Sequence, residues 1–110
     1  INRDIYVNIG GGMRPEGTST DLAVALAVWS DEKGVQLPGG FMAIGEIGLT
    51  GTLRPVQNAD KLVREADRMG FSTMLMPLPS MARLTEKPKN LKLIGVTTLA
   101  EAIKAAAALK

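Results

Sequence analysis

Between residues 58 and 70 the apolar side chains keep a helical beat, and this stretch constrains the fold most tightly. Ala59, Leu62, Val63 and Ala66 fall at i, i+3, i+4 and i+7, one face of an α-helix. Lys61 lies about 100° round the axis from Leu62, on a solvated side shared with Glu65 and Arg68. Gly70 supplies the stop signal. The spacing therefore predicts a helix from Asn58 to Met69 with one face buried and the other in water.

Strand patterns flank that helix. Gly39-Gly40 leads into a strand from Phe41 to Ile47, a turn over Gly48 to Gly51, and a short return strand from Thr52 to Pro55. After the helix, Ser72 to Met76 reads as a strand ended by Pro77, Ser80 to Leu84 as a helical turn, and Leu91 to Val96 as another strand. Earlier, Ile5, Val7 and Ile9 alternate with Tyr6 and Asn8, so Asp4 to Ile9 reads as a strand ended by Gly10-Gly11-Gly12. Arg14 to Gly17 is a loop, and a helix follows from Ser19 to Lys33. Its segment from Leu22 to Trp29 is apolar nearly all round and is expected to be buried. The last helix begins at Thr97 or Thr98, where Thr98-x-x-Glu101 forms a capping box, and it presents Leu99, Ala102, Ile103 and Ala106. The order β, α, β, β, α, β, β, α with one hairpin predicts an α/β domain with a mixed sheet.

Composition removes whole classes of chemistry. With 110 residues, 45% of them hydrophobic, the chain fits one domain with a core of its own. It has no cysteine and no histidine, which excludes disulfides, thiol nucleophiles, imidazole bases and Cys/His zinc sites within it. Gly10-Gly11-Gly12 lacks the lysine and hydroxyl of a phosphate-binding P-loop and reads as a structural turn. No metal site is expected, since nothing brings Glu46 together with Asp60 or Asp31. No apolar run is long enough for a membrane span, and no signal-peptide pattern opens the chain. A cytoplasmic location is expected. Because the chain begins at Ile1 and enters a strand almost at once, it is expected to be a piece of a longer protein.

Several strings together carry a family resemblance. Gly45-Glu46-Ile47-Gly48-Leu49-Thr50-Gly51-Thr52-Leu53-Arg54-Pro55-Val56 resembles the G-E-I-x-L-x-G-x-x-x-P-[IV] stretch of the Lon proteolytic domain. Gly17-Thr18-Ser19-Thr20-Asp21 resembles its G-P-S-A-G serine motif, and Gly70 to Pro77 resembles its G-[IV]-x-x-[VI]-[LI]-[IL]-P strand. The details, with Asp4 to Gly12 and Thr18 to Ala23, are most similar to the Lon-like C-terminal domain of the RadA (Sms) family of bacterial DNA repair proteins. The resemblance implies a fold like ribosomal protein S5 domain 2. It implies that residues 1–110 form a Lon-like domain lacking one or two upstream elements, with a zinc-finger segment and a RecA-like ATPase core elsewhere in the parent protein. ATP and zinc are thus implied for the parent and no cofactor for this domain. The implied partners are DNA, copies of the chain in a ring, and a RecA-type recombinase.

The resemblance also places Lon's catalytic pair. Its serine falls on Ser19. Its lysine, seven residues after Pro55 and eight before Gly70, falls on Leu62, with Lys61 adjacent. A catalytic lysine must be partly desolvated to lose its proton near neutral pH, whereas Lys61 is expected to stay solvated and charged. Asp21 would set a negative charge near any developing oxyanion. A non-proteolytic domain is therefore expected. The alternatives are an active Ser–Lys peptidase, with Ser19 as nucleophile and Lys61 turned inward, and a pure scaffold.

For DNA contact, the net charge of +2 permits a basic surface without requiring one. With one tryptophan, one tyrosine and two phenylalanines, no base-stacking platform is expected. The candidate contacts are a helical stripe of Lys61, Arg64 and Arg68, a loop group of Arg83, Lys87, Lys89 and Lys92, and the loop residues Arg14 and Arg54. Asp60 is expected to pair with Arg64, four residues on.

Overall fold

Alternating side chains along three short strands build the centre of the molecule. The computed structural model describes residues 21–109. In chain order its elements are α1 (Asp21–Lys33), β1 (Phe41–Ala43), β2 (Glu46–Ile47), β3 (Leu53–Arg54), α2 (Ala59–Arg68), β4 (Thr73–Pro77), α3 (Leu78–Ala82), β5 (Lys92–Val96) and α4 (Leu99–Ala108). Strands β1, β4 and β5 form a parallel sheet in the order β1-β4-β5. β4 is the central strand and is buried along its whole length.

The period-two pattern sorts the core onto the two faces of this sheet. Phe41, Ala43, Leu75 and Val96 point to one side and join Leu22, Leu26, Ala102 and Ala106 from α1 and α4. Met42, Ile44, Met74 and Met76 point to the other and meet Leu62, Val63 and Ala66 of α2. The result is helix, sheet, helix, the usual way to cover parallel strands on both faces.

Strands β2 and β3 form a separate antiparallel hairpin, pairing Glu46 with Arg54 and Ile47 with Leu53. The continuous strand expected from Phe41 to Ile47 is therefore broken after Ala43. At Gly45, with φ of 151°, the chain leaves the parallel sheet, and the Gly45 carbonyl accepts from Leu22 N at 2.9 Å. Asp21 completes this junction by accepting Ile47 N–H at 3.1 Å. The hairpin rejoins the end of β5 through Leu53 N to Thr97 O and Leu99 N to Gly51 O, both 2.9 Å.

Two helices differ from expectation. α1 buries Leu22, Ala23, Leu26 and Ala27 but leaves Val24 and Val28 exposed, so it is one-sided rather than buried all round. The helical turn expected from Ser80 begins at Leu78, with Pro79 accommodated in its first turn, where a missing N–H costs nothing. α3 lies flat on β5 because Gly95 has no side chain. A Cβ there would come within 2.6 Å of Leu78 Cδ1 and 3.2 Å of Leu78 Cα.

At α4 the expected cap is present: Thr98 Oγ1 accepts Glu101 N–H at 3.1 Å. The Glu101 carboxylate reaches one residue further back than a standard capping box, accepting from both N and Oγ1 of Thr97 at 2.8 Å. Those two bonds, with a smaller contribution from Lys104, hold the Glu101 carboxyl below its ordinary value.

Candidate nucleic-acid interface

The amphipathic register of α2 decides what its polar side can do. Leu62 is 6% exposed and packs among Met42, Ile44, Met74 and Met76. The position on which the Lon resemblance would set a lysine thus holds part of the core. Lys61, one residue away, is exposed. Ser19 and Arg14 lie outside the described residues.

Lys61 opens into a cleft of about 380 Å³ at the start of α2. Val56, Asn58 and Ala59 line one wall, and Ser80 and Arg83, at the end of α3, line another. Arg64 stands one turn along from Lys61. A buried hydrogen bond holds the walls together: Ser80 Oγ, 3% exposed, accepts Val56 N–H at 2.9 Å. Asn58 sits in the left-handed region, φ 60°, and its side chain makes no cap to α2.

A second cleft, of about 270 Å³, lies along the other flank of α2 and is lined by Asp60, Val63, Arg64, Asp67, Glu86, Lys87, Pro88 and Lys89. Arg64 borders both. The fold therefore merges two cationic groups that are far apart in sequence, the α2 stripe and the loop after α3. The agents are two aspartates seven apart on α2. Asp60 Oδ1 accepts N–H and Oγ1–H of Thr85 at 2.9 and 3.2 Å. Asp67 accepts N–H of Lys89 at 2.7 Å and of Asn90 at 3.1 Å. The expected Asp60–Arg64 ion pair is replaced by this anchoring: Asp60 turns to the loop, and no ion pair joins it to Arg64 among the described residues.

Charge separates the two clefts. The first gathers Lys61, Arg64 and Arg83 against Asp60 alone. The second sets Arg64, Lys87 and Lys89 against Asp60, Asp67 and Glu86. A surplus of positive charge would attract a polyanion; the first cleft has that surplus, whereas in the second Lys87 and Lys89 are offset by carboxylates. Arg68 extends the stripe on the exposed side of α2. Two other sequence candidates stand apart from it: Arg54 faces Glu46 across the hairpin, and Lys92 is exposed at the start of β5. Ser80 and the anchoring aspartates escaped the sequence reading. The one available signal was Asp60 and Asp67 at i, i+7, which places both carboxylates on one side of the helix.

A small α/β domain with an apolar face and a cationic rim on one helix is the class these features define. The chain belongs to the family described as "Subunit ChlI of Mg-chelatase", which matches residues 2–80. Among individual proteins it is similar to DNA repair protein RadA of Pseudomonas aeruginosa, 35% identical over 104 residues, covering 94% of this chain and 22% of that protein. RadA of Bacillus subtilis is 34% identical over 103 residues with the same shares, and RadA of Aquifex aeolicus is 42% identical over 76 residues, 69% of this chain and 17% of that protein. These relatives bear out the RadA resemblance read from the motifs. The chain spans about a fifth of the length of the curated relatives it matches.

Proposed function

We propose that this chain is a non-proteolytic Lon-like domain that serves a DNA repair protein by contacting the DNA backbone. Lys61, Arg64, Arg68 and Arg83 make the contacts, and copies of the domain help to assemble a ring. The relatives, which are DNA repair proteins, support the repair role, and the RadA resemblance supports the ring, with ATP-driven work, zinc binding and any recombinase contact assigned to the rest of the parent protein. The observation that carries the DNA contact is the imbalance in the first cleft, three cations against one carboxylate. Leu62 in the core weighs against the peptidase alternative: turning Lys61 inward would displace an apolar side chain and desolvate an ammonium, at several kcal/mol. The family's description names a chelatase subunit, but the repair proteins match more of this chain and carry the reading.

The test is duplex DNA binding by fluorescence anisotropy across a salt series. With three to four phosphates neutralised, log affinity falls against log salt with a slope of roughly −2.7 to −3.6. Lys61→Ala and Arg83→Ala each flatten the slope by about 1, whereas Lys87→Ala does so less. Affinity that does not change with salt refutes the DNA contact. Steady hydrolysis of an unfolded protein, lost on Ser19→Ala, overturns the non-proteolytic reading.

A further inference from the structure

The first cleft is concave, and its chemistry is almost entirely that of a donor. Lys61 presents an ammonium, Arg64 and Arg83 present guanidinium forks, and no carboxylate is bonded to any of the three among the described residues. Ser80 adds a buried hydroxyl whose oxygen already accepts from Val56 N, so its proton remains to be donated. The single carboxylate on the rim, Asp60, has one oxygen occupied by Thr85. An internal phosphodiester carries one negative charge and needs only an open groove. A surplus of two positive charges in a walled cleft matches a phosphomonoester dianion better. The volume of about 380 Å³ exceeds a bare phosphate, and Val56 and Ala59 offer a partly buried apolar wall for the attached sugar.

We propose that the cleft formed by Lys61, Arg64, Ser80 and Arg83 binds the terminal phosphate of a nucleotide, either at the end of a strand or on a free mononucleotide. This deepens, and rests on, the reading of the cleft as the nucleic-acid contact. Internal backbone phosphates then lie along the open stripe towards Arg68, while the cleft takes an end.

The experiment compares one labelled single-stranded oligonucleotide with a 5′-phosphate, with a 3′-phosphate, or with neither, at fixed salt. Charge-assisted hydrogen bonds to the added dianion predict binding about tenfold tighter for one phosphorylated end. That preference disappears in Lys61→Ala and Arg83→Ala and survives in Lys87→Ala, which lies outside this cleft. All three side chains are exposed, so the variants retain the fold. Titration with a deoxynucleoside monophosphate, followed by amide shifts at Lys61, Arg64 and Ser80, distinguishes the two sources. Saturating shifts assign the cleft to a free nucleotide, and their absence alongside an end preference assigns it to a strand terminus. Equal affinity for all three oligonucleotides, with no shifts, overturns the terminal-phosphate site and leaves the backbone contact standing. No binding at low salt to these oligonucleotides or to duplex DNA overturns the DNA reading itself.

Discussion

At the scale of single residues, Leu62 and Lys61 show how one step of helical phase separates two kinds of surface. Leu62 packs in one cluster with Met42 of β1, Ile44 just after it, Met74 and Met76 of β4, and Val63 and Ala66 of its own helix, while its neighbour stands in water. Leu62→Ala is expected to cost about 2–5 kcal/mol in chemical denaturation, the transfer loss plus the cavity left among the methionines. Leu62→Lys, which would restore the residue type found in Lon, is expected to destabilise at least as much, because it leaves an unpaired ammonium in an apolar cluster. The position of Leu62 was legible in the sequence because helix periodicity needs only four apolar residues. Ser80 was not, because a serine after Pro77-Leu78-Pro79 gives no sign of which backbone N–H it will meet.

At the scale of elements, the loop after α3 owes its place to α2. Asp67 accepts two consecutive amides, Lys89 and Asn90, so Asp67→Ala removes both acceptors from the end of that loop. The expected cost is about 1 kcal/mol, since the bonds are exposed and water replaces part of them. Amide hydrogen exchange at Lys89 and Asn90 should speed up while the amides of β4 stay protected, and unchanged exchange at the loop would count against the anchoring. Helix existence, the hairpin and the α4 cap were all legible from local pattern and turn chemistry. The break at Gly45 was not, because its cause is a bond from Leu22 N, more than twenty residues earlier in the chain. Asp60 was misread for a related reason: four-residue spacing suggests a partner on the same helix, whereas the actual partner, Thr85, lies on a distant loop.

At the scale of the whole molecule, three structures meet at Thr97. Its carbonyl accepts from Leu53 of the hairpin, its N–H and hydroxyl are held by Glu101 of α4, and it directly follows β5. Because folding lowers the Glu101 pKa, its stabilisation is fully present above the unfolded-state value and is lost as pH falls through the folded value. Glu101→Gln keeps an acceptor but removes the charge. The wild type is therefore expected to melt above the variant at pH 7, with the gap closing as pH falls below the usual glutamate range. Thermal unfolding across that range measures it, and a pH-independent gap would remove the charge from the explanation. The class of the fold was readable from the order of elements. The grouping of cations on one rim was not, because it depends on where the loop folds back over α2.

Gly95 has a reach beyond its own strand. The missing methyl lets Leu78 and Met81 settle onto β5, and the same short helix carries Ser80 and hands over to Arg83. An alanine at that point would jack the helix upward like a wedge under a beam, carrying the guanidinium away from Lys61. The gauge of the cationic notch is thus set from beneath, by a hydrogen atom on the sheet.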